Sequence, residues 1–208
     1  MPLVRKPDQR PAAAAPDHAG VAEALHSSDP ERRWQAARTA AGMPGSAAML
    51  AAAIGKETDP RIRATLFTGL ARMELAEAAP HLLQLLRSDD AGLRTGALDA
   101  LRSVGPALAG YLPGFLHDAD ADVRILSCEL VRTVPGEQAS QLLCELLAAE
   151  PEVNVCAAAV DVLGEVGSAS AVPTLAECAR RFAAAPFLVF SIHTVIDRIH
   201  SQPARPRG

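Results

Sequence analysis

Apolar residues recur along this chain at helical rather than strand spacing. Leu93, Ala97, Leu98, Leu101 and Val104 fall three and four positions apart behind Asp90, a residue type that caps helix N-termini. Gly105-Pro106 then stops that helix and starts another. Upstream, Leu82, Leu83, Leu85 and Leu86 form a wide apolar face in a run that Pro80 opens and Ser88-Asp89-Asp90 closes. The pattern predicts a helix A, a short turn and a helix B. Connections of so few residues make the two antiparallel neighbours.

The pair repeats. Asp29-Pro-Glu-Arg-Arg33, Asp59-Pro-Arg-Ile-Arg63, Asp90-Ala-Gly-Leu-Arg94 and Asp120-Ala-Asp-Val-Arg124 begin 30, 31 and 30 residues apart, and Glu150-Pro-Glu-Val-Asn154 comes 30 further on. A period between about 20 and 50 residues is the mark of a solenoid, whose units bury their apolar faces only by stacking on copies of themselves. The expected organisation is a leader over 1–16, rich in proline, one solenoid over 17–200 and a tail over 201–208.

The recurring Asp-Pro-Arg-Ile-Arg and Asp-Ala-Asp-Val-Arg, with Ala-Leu-Asp-Ala-Leu-Arg-Ser-Val-Gly at 97–105, resemble HEAT repeats, most of all the short type of bilin lyases and bacterial scaffold proteins. The resemblance implies an all-α, right-handed α-α superhelix of five to six hairpins. It also implies a ladder between units made by Asp59, Asp90, Asp120, Arg33, Arg63, Arg94 and Arg124, and B helices that line the concave surface. Two departures stand out. Arg32 replaces the core Ile62, Leu93 or Val123 beside Trp34, as a polar end cap would. In the fifth unit Asn154, or Cys156 when counted back from Leu163-Gly-Glu-Val-Gly167, takes the place of the ladder arginine, and 35 residues separate Pro151 from Pro186. A broken ladder and a bend are expected there.

Composition narrows the function. With 49% hydrophobic residues the 208-residue chain folds, and a net charge of −4 with one Trp and one Tyr argues against nucleic acid as partner. No run approaches the length of a membrane span. Cys128, Cys144, Cys156 and Cys178 contain no CxxC pair and sit in apolar segments, which suits buried thiols in a reducing, cytoplasmic compartment. Asp118-Ala-Asp-Ala-Asp122 with Glu129 imitates a calcium loop, but Val123 stands where that loop needs glycine. No histidine precedes glutamate, and no phosphate loop or nucleophile motif is present, so neither a metal nor another cofactor is expected.

Two surfaces remain as candidate partner sites. One is the B-helix ridge, where repeat spacing aligns His81 with Tyr111 and Gln141, Gln84 with Gly114 and Cys144, and Ser88 with Asp118 and Ala148; Tyr111 is the anchor, His81 and Gln84 the polar readers. The bland alternative is a solvated face with Tyr111 covering Pro113-Gly114. The other is the last helix, where Leu188, Val189, Ile192, Val195, Ile196 and Ile199 share one stripe while Phe187 and Phe190 fall outside it, open to a partner or a second copy. The reading is a non-enzymatic scaffold or adaptor that holds another protein along the B-helix groove. A bilin-lyase-like factor for cofactor attachment or maturation is the alternative.

Overall fold

A computed structural model describes residues 17–201, and these are helical, with no strand among them. The leader and the tail beyond residue 201 lie outside the described residues. The order is α1 His18–Ala24, α2 Pro30–Ala40, α3 Ala47–Ile54, α4 Pro60–Ala71, α5 Leu75–Leu86, α6 Ala91–Val104, a 3₁₀ turn Gly105–Gly110, α7 Leu112–Leu116, α8 Ala121–Val131, α9 Gly136–Ala149, α10 Val153–Val166, α11 Val172–Arg181 and α12 Pro186–Ser201. The even-numbered helices form the A row, each packed on the A helix before and after it; α3, α5, α7, α9 and α11 form the B row. Ile62, Leu66, Leu70, Leu82, Leu86 and Leu101 are among the side chains sealed between the rows. The molecule is an all-α solenoid.

The aspartates of the repeat start its helices. Asp29, Asp59, Asp90 and Asp120 accept from the backbone N–H two residues on, at 3.0, 2.8, 2.7 and 2.9 Å. Such a cap contributes about 1 kcal/mol. These acids are therefore not the rungs of the ladder. The rungs stand two residues earlier, where Glu57, Asp118 and Glu150 each accept the N–H of the following cap position. Arg33 meets Glu57 through two bonds of 2.9 and 3.2 Å, and Arg124 meets Glu150 at 2.8 and 2.9 Å. Asp118 is taken by Arg87, which caps the C-terminus of α5, rather than by Arg94. The hydrogen bonds from Arg33 and from the backbone hold the Glu57 carboxyl below its ordinary range. Burial pushes Asp118 the other way, but Arg87 and the amide of Asp120 outweigh it, and its carboxyl also sits low.

Each repeat arginine has a second task. Arg33, Arg63, Arg94 and Arg124 donate to the carbonyl six residues back, at 3.0, 3.0, 2.7 and 2.9 Å, tying the helix to the loop that leads into it. In the fifth unit Cys156 stands in that register and its thiol points to the Glu150 carbonyl at 3.7 Å. Arg181, from α11, supplies the missing guanidinium by donating to the same carbonyl at 3.0 Å and to that of Leu147 at 2.6 Å. The expected break is thus bridged from another helix. The cap of this unit is Glu152, so the repeat there begins two residues later than its Pro-Glu spelling suggests.

Other expectations change as well. α5 begins at Leu75, not at Pro80, which lies inside the helix. Ala78 and Ala79 are buried and Glu77 accepts the Ala47 N–H at 3.2 Å, so burial and a tertiary bond outweigh the one helical hydrogen bond that proline deletes. The third B helix is reduced to a 3₁₀ turn and the five residues of α7. Gly105, at φ 68°, ends α6 in a conformation glycine adopts freely, and Pro106 and Pro113 interrupt the helical run beyond it. The long linker before α12 does not part the stack, because α10 packs on both α8 and α12; the sparser join lies between α6 and α8, beside the shortened α7. Arg32 is exposed, as an end cap requires.

Candidate functional site

Counting from the N-caps brings equivalent A-row surface positions into line. Nine residues after each cap stand Arg38, Thr68, Asp99, Glu129 and Asp161; twelve after stand Ala41, Ala71, Arg102, Arg132 and Gly164. From α6 onward these positions interlock across the helices. Asp99 to Arg102 is 3.3 Å, Arg102 to Glu129 3.4 Å, Glu129 to Arg132 3.1 Å and Arg132 to Asp161 2.8 Å, and Arg132 also meets Glu165. Burial works against the charge of Arg132, yet Glu129 and Glu165 keep it firmly protonated.

In the first two units alanine replaces the bridging arginine, and the surface opens. A groove of about 720 Å³ runs between α4 and α6, and a second of about 540 Å³ between α2 and α4. Ala64, Thr68 and Arg72 border both. Phe67 floors the larger one. Its ring is buried because Gly96 faces it: a Cβ at that position would stand 2.3 Å from the ring, so only glycine lets α6 come this close. The rim is basic, with Arg63 and Arg72 on one side and Arg38 by the other groove. Trp34 carries two guanidinium groups on its ring, Arg38 at 4.9 Å and Arg61 at 4.6 Å from the centroid, which fixes both at the mouth of the smaller groove.

A profile of HEAT repeats matches residues 19–102 and 109–184; the gap between the two stretches falls at the end of α6 and in the 3₁₀ turn, and α12 lies beyond the second. The chain belongs to the HEAT-repeat family. No curated protein matches it. Among solved structures it is similar to a HEAT-like repeat protein of the archaeon Thermococcus onnurineus NA1, at 16% identity over 87% of this chain and 86% of that one, TM-score 0.47. It is also similar to an engineered protein, at 17% identity over 88% and 96%, TM-score 0.43, and to a designed armadillo repeat protein, at 14% identity over 86% and 98%, TM-score 0.39.

On this HEAT solenoid the residues singled out in the sequence scatter. His81 and Tyr111 are half-buried, Gln84 and Gln141 exposed, and Gln141 donates to Glu145 at 3.0 Å. Tyr111 packs on the core at the end of the 3₁₀ turn, where the B row is shortest. Asp118, aligned with that ridge, is buried against Arg87. Phe187 and Phe190 are 55% and 73% exposed, while Leu188, Ile192, Val195 and Ile199 of the same helix are buried. The two A-row grooves bring together Phe67 and Arg72 on one side of α4 and Trp34, Arg38 and Arg72 on the other, and the one signal for them is alanine at positions 41 and 71 in a register that holds arginine at 102 and 132.

The thiols have structural surroundings. Cys128, Cys156 and Cys178 are buried, Cys144 half-buried, and all four are free. Burial pushes the Cys128 thiol up to about 12. Cys156 and Cys178, 22 residues apart in the chain, are neighbours, and their mutual interaction lowers the Cys178 thiol and, with burial, raises that of Cys156. Among the described residues no cluster of three or more His, Cys, Asp or Glu is placed to hold a metal ion, and no helix is long and apolar enough to cross a membrane.

Proposed function

We propose that this HEAT solenoid is a non-catalytic scaffold or adaptor that holds a segment of another protein on its A-row groove. The observation that carries the reading is the pair of alanines, Ala41 and Ala71, which leave an apolar-floored trough where Arg102 and Arg132 close the same face in the next two units. A trough of this size with a few polar groups on its rim suits side-chain insertion, and the family's fold is one that serves as an interaction surface. Free thiols throughout fit a reducing compartment such as the cytoplasm. The B ridge with Gln84 and Tyr111, and the exposed Phe187 and Phe190, are further surfaces for a partner or a second copy.

A photo-crosslinking residue placed at Thr68, Gln84 or Phe190 in the native cell separates these. Adducts from Thr68 that vanish with Ala71→Arg are expected. Adducts from Gln84 or Phe190 alone would move the site to the B ridge or the last helix, and no adduct from any of the three would end the scaffold reading.

A further inference from the structure

We propose that the groove beside α4 takes an acidic peptide segment of the partner, one aliphatic side chain entering over Phe67 while neighbouring carboxylates meet Arg38 and Arg72. The inference rests on the groove being the partner site and adds what the partner must carry. Its basis is charge complementarity. The chain as a whole is acidic, at −4, yet this surface runs the other way. Arg38, Arg63 and Arg72 line the two grooves, and the one acid among the lining residues, Asp99, is already engaged with Arg102 at 3.3 Å; outside them Arg61 pairs with Glu31 at 3.2 Å. Among the described residues neither Arg38 nor Arg72 meets a carboxylate, although Arg102 and Arg132 on the same face both do.

The two exposed guanidinium groups flank the shared wall of the grooves, Arg38 on α2 and Arg72 at the end of α4. Arg38 stacks on Trp34, a placement that leaves its N–H edge free for a carboxylate fork. On the α6 side of that wall, beside Arg72, the floor is made of Ala64, Thr68, Ala71 and the Phe67 ring, room for a side chain of leucine size; on the α2 side, beside Arg38, it is made of Ala41, Gly42 and Gly69. A peptide fits this better than a nucleic acid does, because bases need bare aromatic faces and Trp34 already carries Arg38 and Arg61.

The full-length, ¹⁵N-labelled chain is titrated with three probes. These are a peptide of three Asp-Leu-Glu-Glu repeats, its uncharged counterpart of three Asn-Leu-Gln-Gln repeats, and a twelve-nucleotide oligothymidylate. Expected are shifts at the amides of Gly42, Thr68 and Gly96 with the acidic peptide, about tenfold weaker binding of the uncharged one, and a loss of about tenfold in the exposed double variant Arg38→Glu, Arg72→Glu. Ala71→Arg adds positive charge yet fills the groove, so it abolishes binding if insertion matters.

Equal binding of both peptides, blocked by Ala71→Arg, overturns the acidic requirement and leaves the groove. Binding of the acidic peptide that survives Ala71→Arg, or shifts elsewhere on the chain, overturns the groove itself. Oligothymidylate bound as tightly at the same amides replaces the peptide by polyanions in general.

Discussion

The A row carries two surfaces built on one register. From α6 to α10 an aspartate or glutamate nine residues after each cap, with Arg102 and Arg132 twelve after the caps of α6 and α8, zips neighbouring helices together; from α2 to α4 the same positions hold Arg38, Thr68, Ala41 and Ala71, and the helices stand with a trough between their outer edges. The backbone framework is common to both halves, since Arg33–Glu57 in the first and Arg124–Glu150 in the second are the same inner rung. What differs is one side chain per turn of surface. A solenoid can thus be closed or opened locally without touching the core that stacks it.

The largest effect tests the part the halves share. Glu57 is 5% and Glu150 3% exposed at the side chain, so Glu57→Gln and Glu150→Gln each leave a half-buried arginine without its carboxylate and are expected to cost about 2 to 3 kcal/mol, alike in both halves, in urea unfolding at pH 7. The pH dependence is set by the sign of the shift. The folded Glu57 carboxyl lies below its ordinary value, so its contribution is present above the unfolded pKa of about 4.3 and drains away as pH falls through the lower folded value. Glu57→Gln flattens that acid limb below about pH 5. A cost confined to one half would mean that the inner rungs are not equivalent.

Arg132→Ala acts on the closed half alone. It leaves Glu129, Asp161 and Glu165 facing one another with their common cation gone, and the cost, discounted because the arginine is 24% exposed, is about 2 kcal/mol. Faster amide exchange in α8 and α10 with α2 and α4 unchanged checks it. The smallest effect is the reverse substitution. Ala71→Arg places a guanidinium within the register of Asp99 and is expected to shift stability by less than about 0.5 kcal/mol while closing the groove. A large loss would show that the open half cannot accept the ladder.

Much of this architecture is legible because core positions are forced. The thirty-residue period, the aspartate caps and the buried stripe of α12 come from apolar spacing and from residue types with one local use. The ladder acids are harder, since Glu57, Asp118 and Glu150 occupy a loop position that serine also fills at 27 and 88, where its hydroxyl serves the same cap amide. Arg181 is invisible to the period because it reaches the fifth unit's loop from a different helix. The groove is the least legible feature of all. It is produced by what alanine omits, and in a chain this rich in alanine Ala41 and Ala71 look like any other helix filler until neighbouring units are laid over them.

Trp34 has one more consequence. It is the chain's only tryptophan, and its indole is clasped by Arg38 and Arg61 at the mouth of the smaller groove. Emission excited with light that indole absorbs and the phenol of Tyr111 does not therefore originates at that spot, and anything drawing either guanidinium off the ring changes its colour and intensity: the protein has its own lamp beside the door.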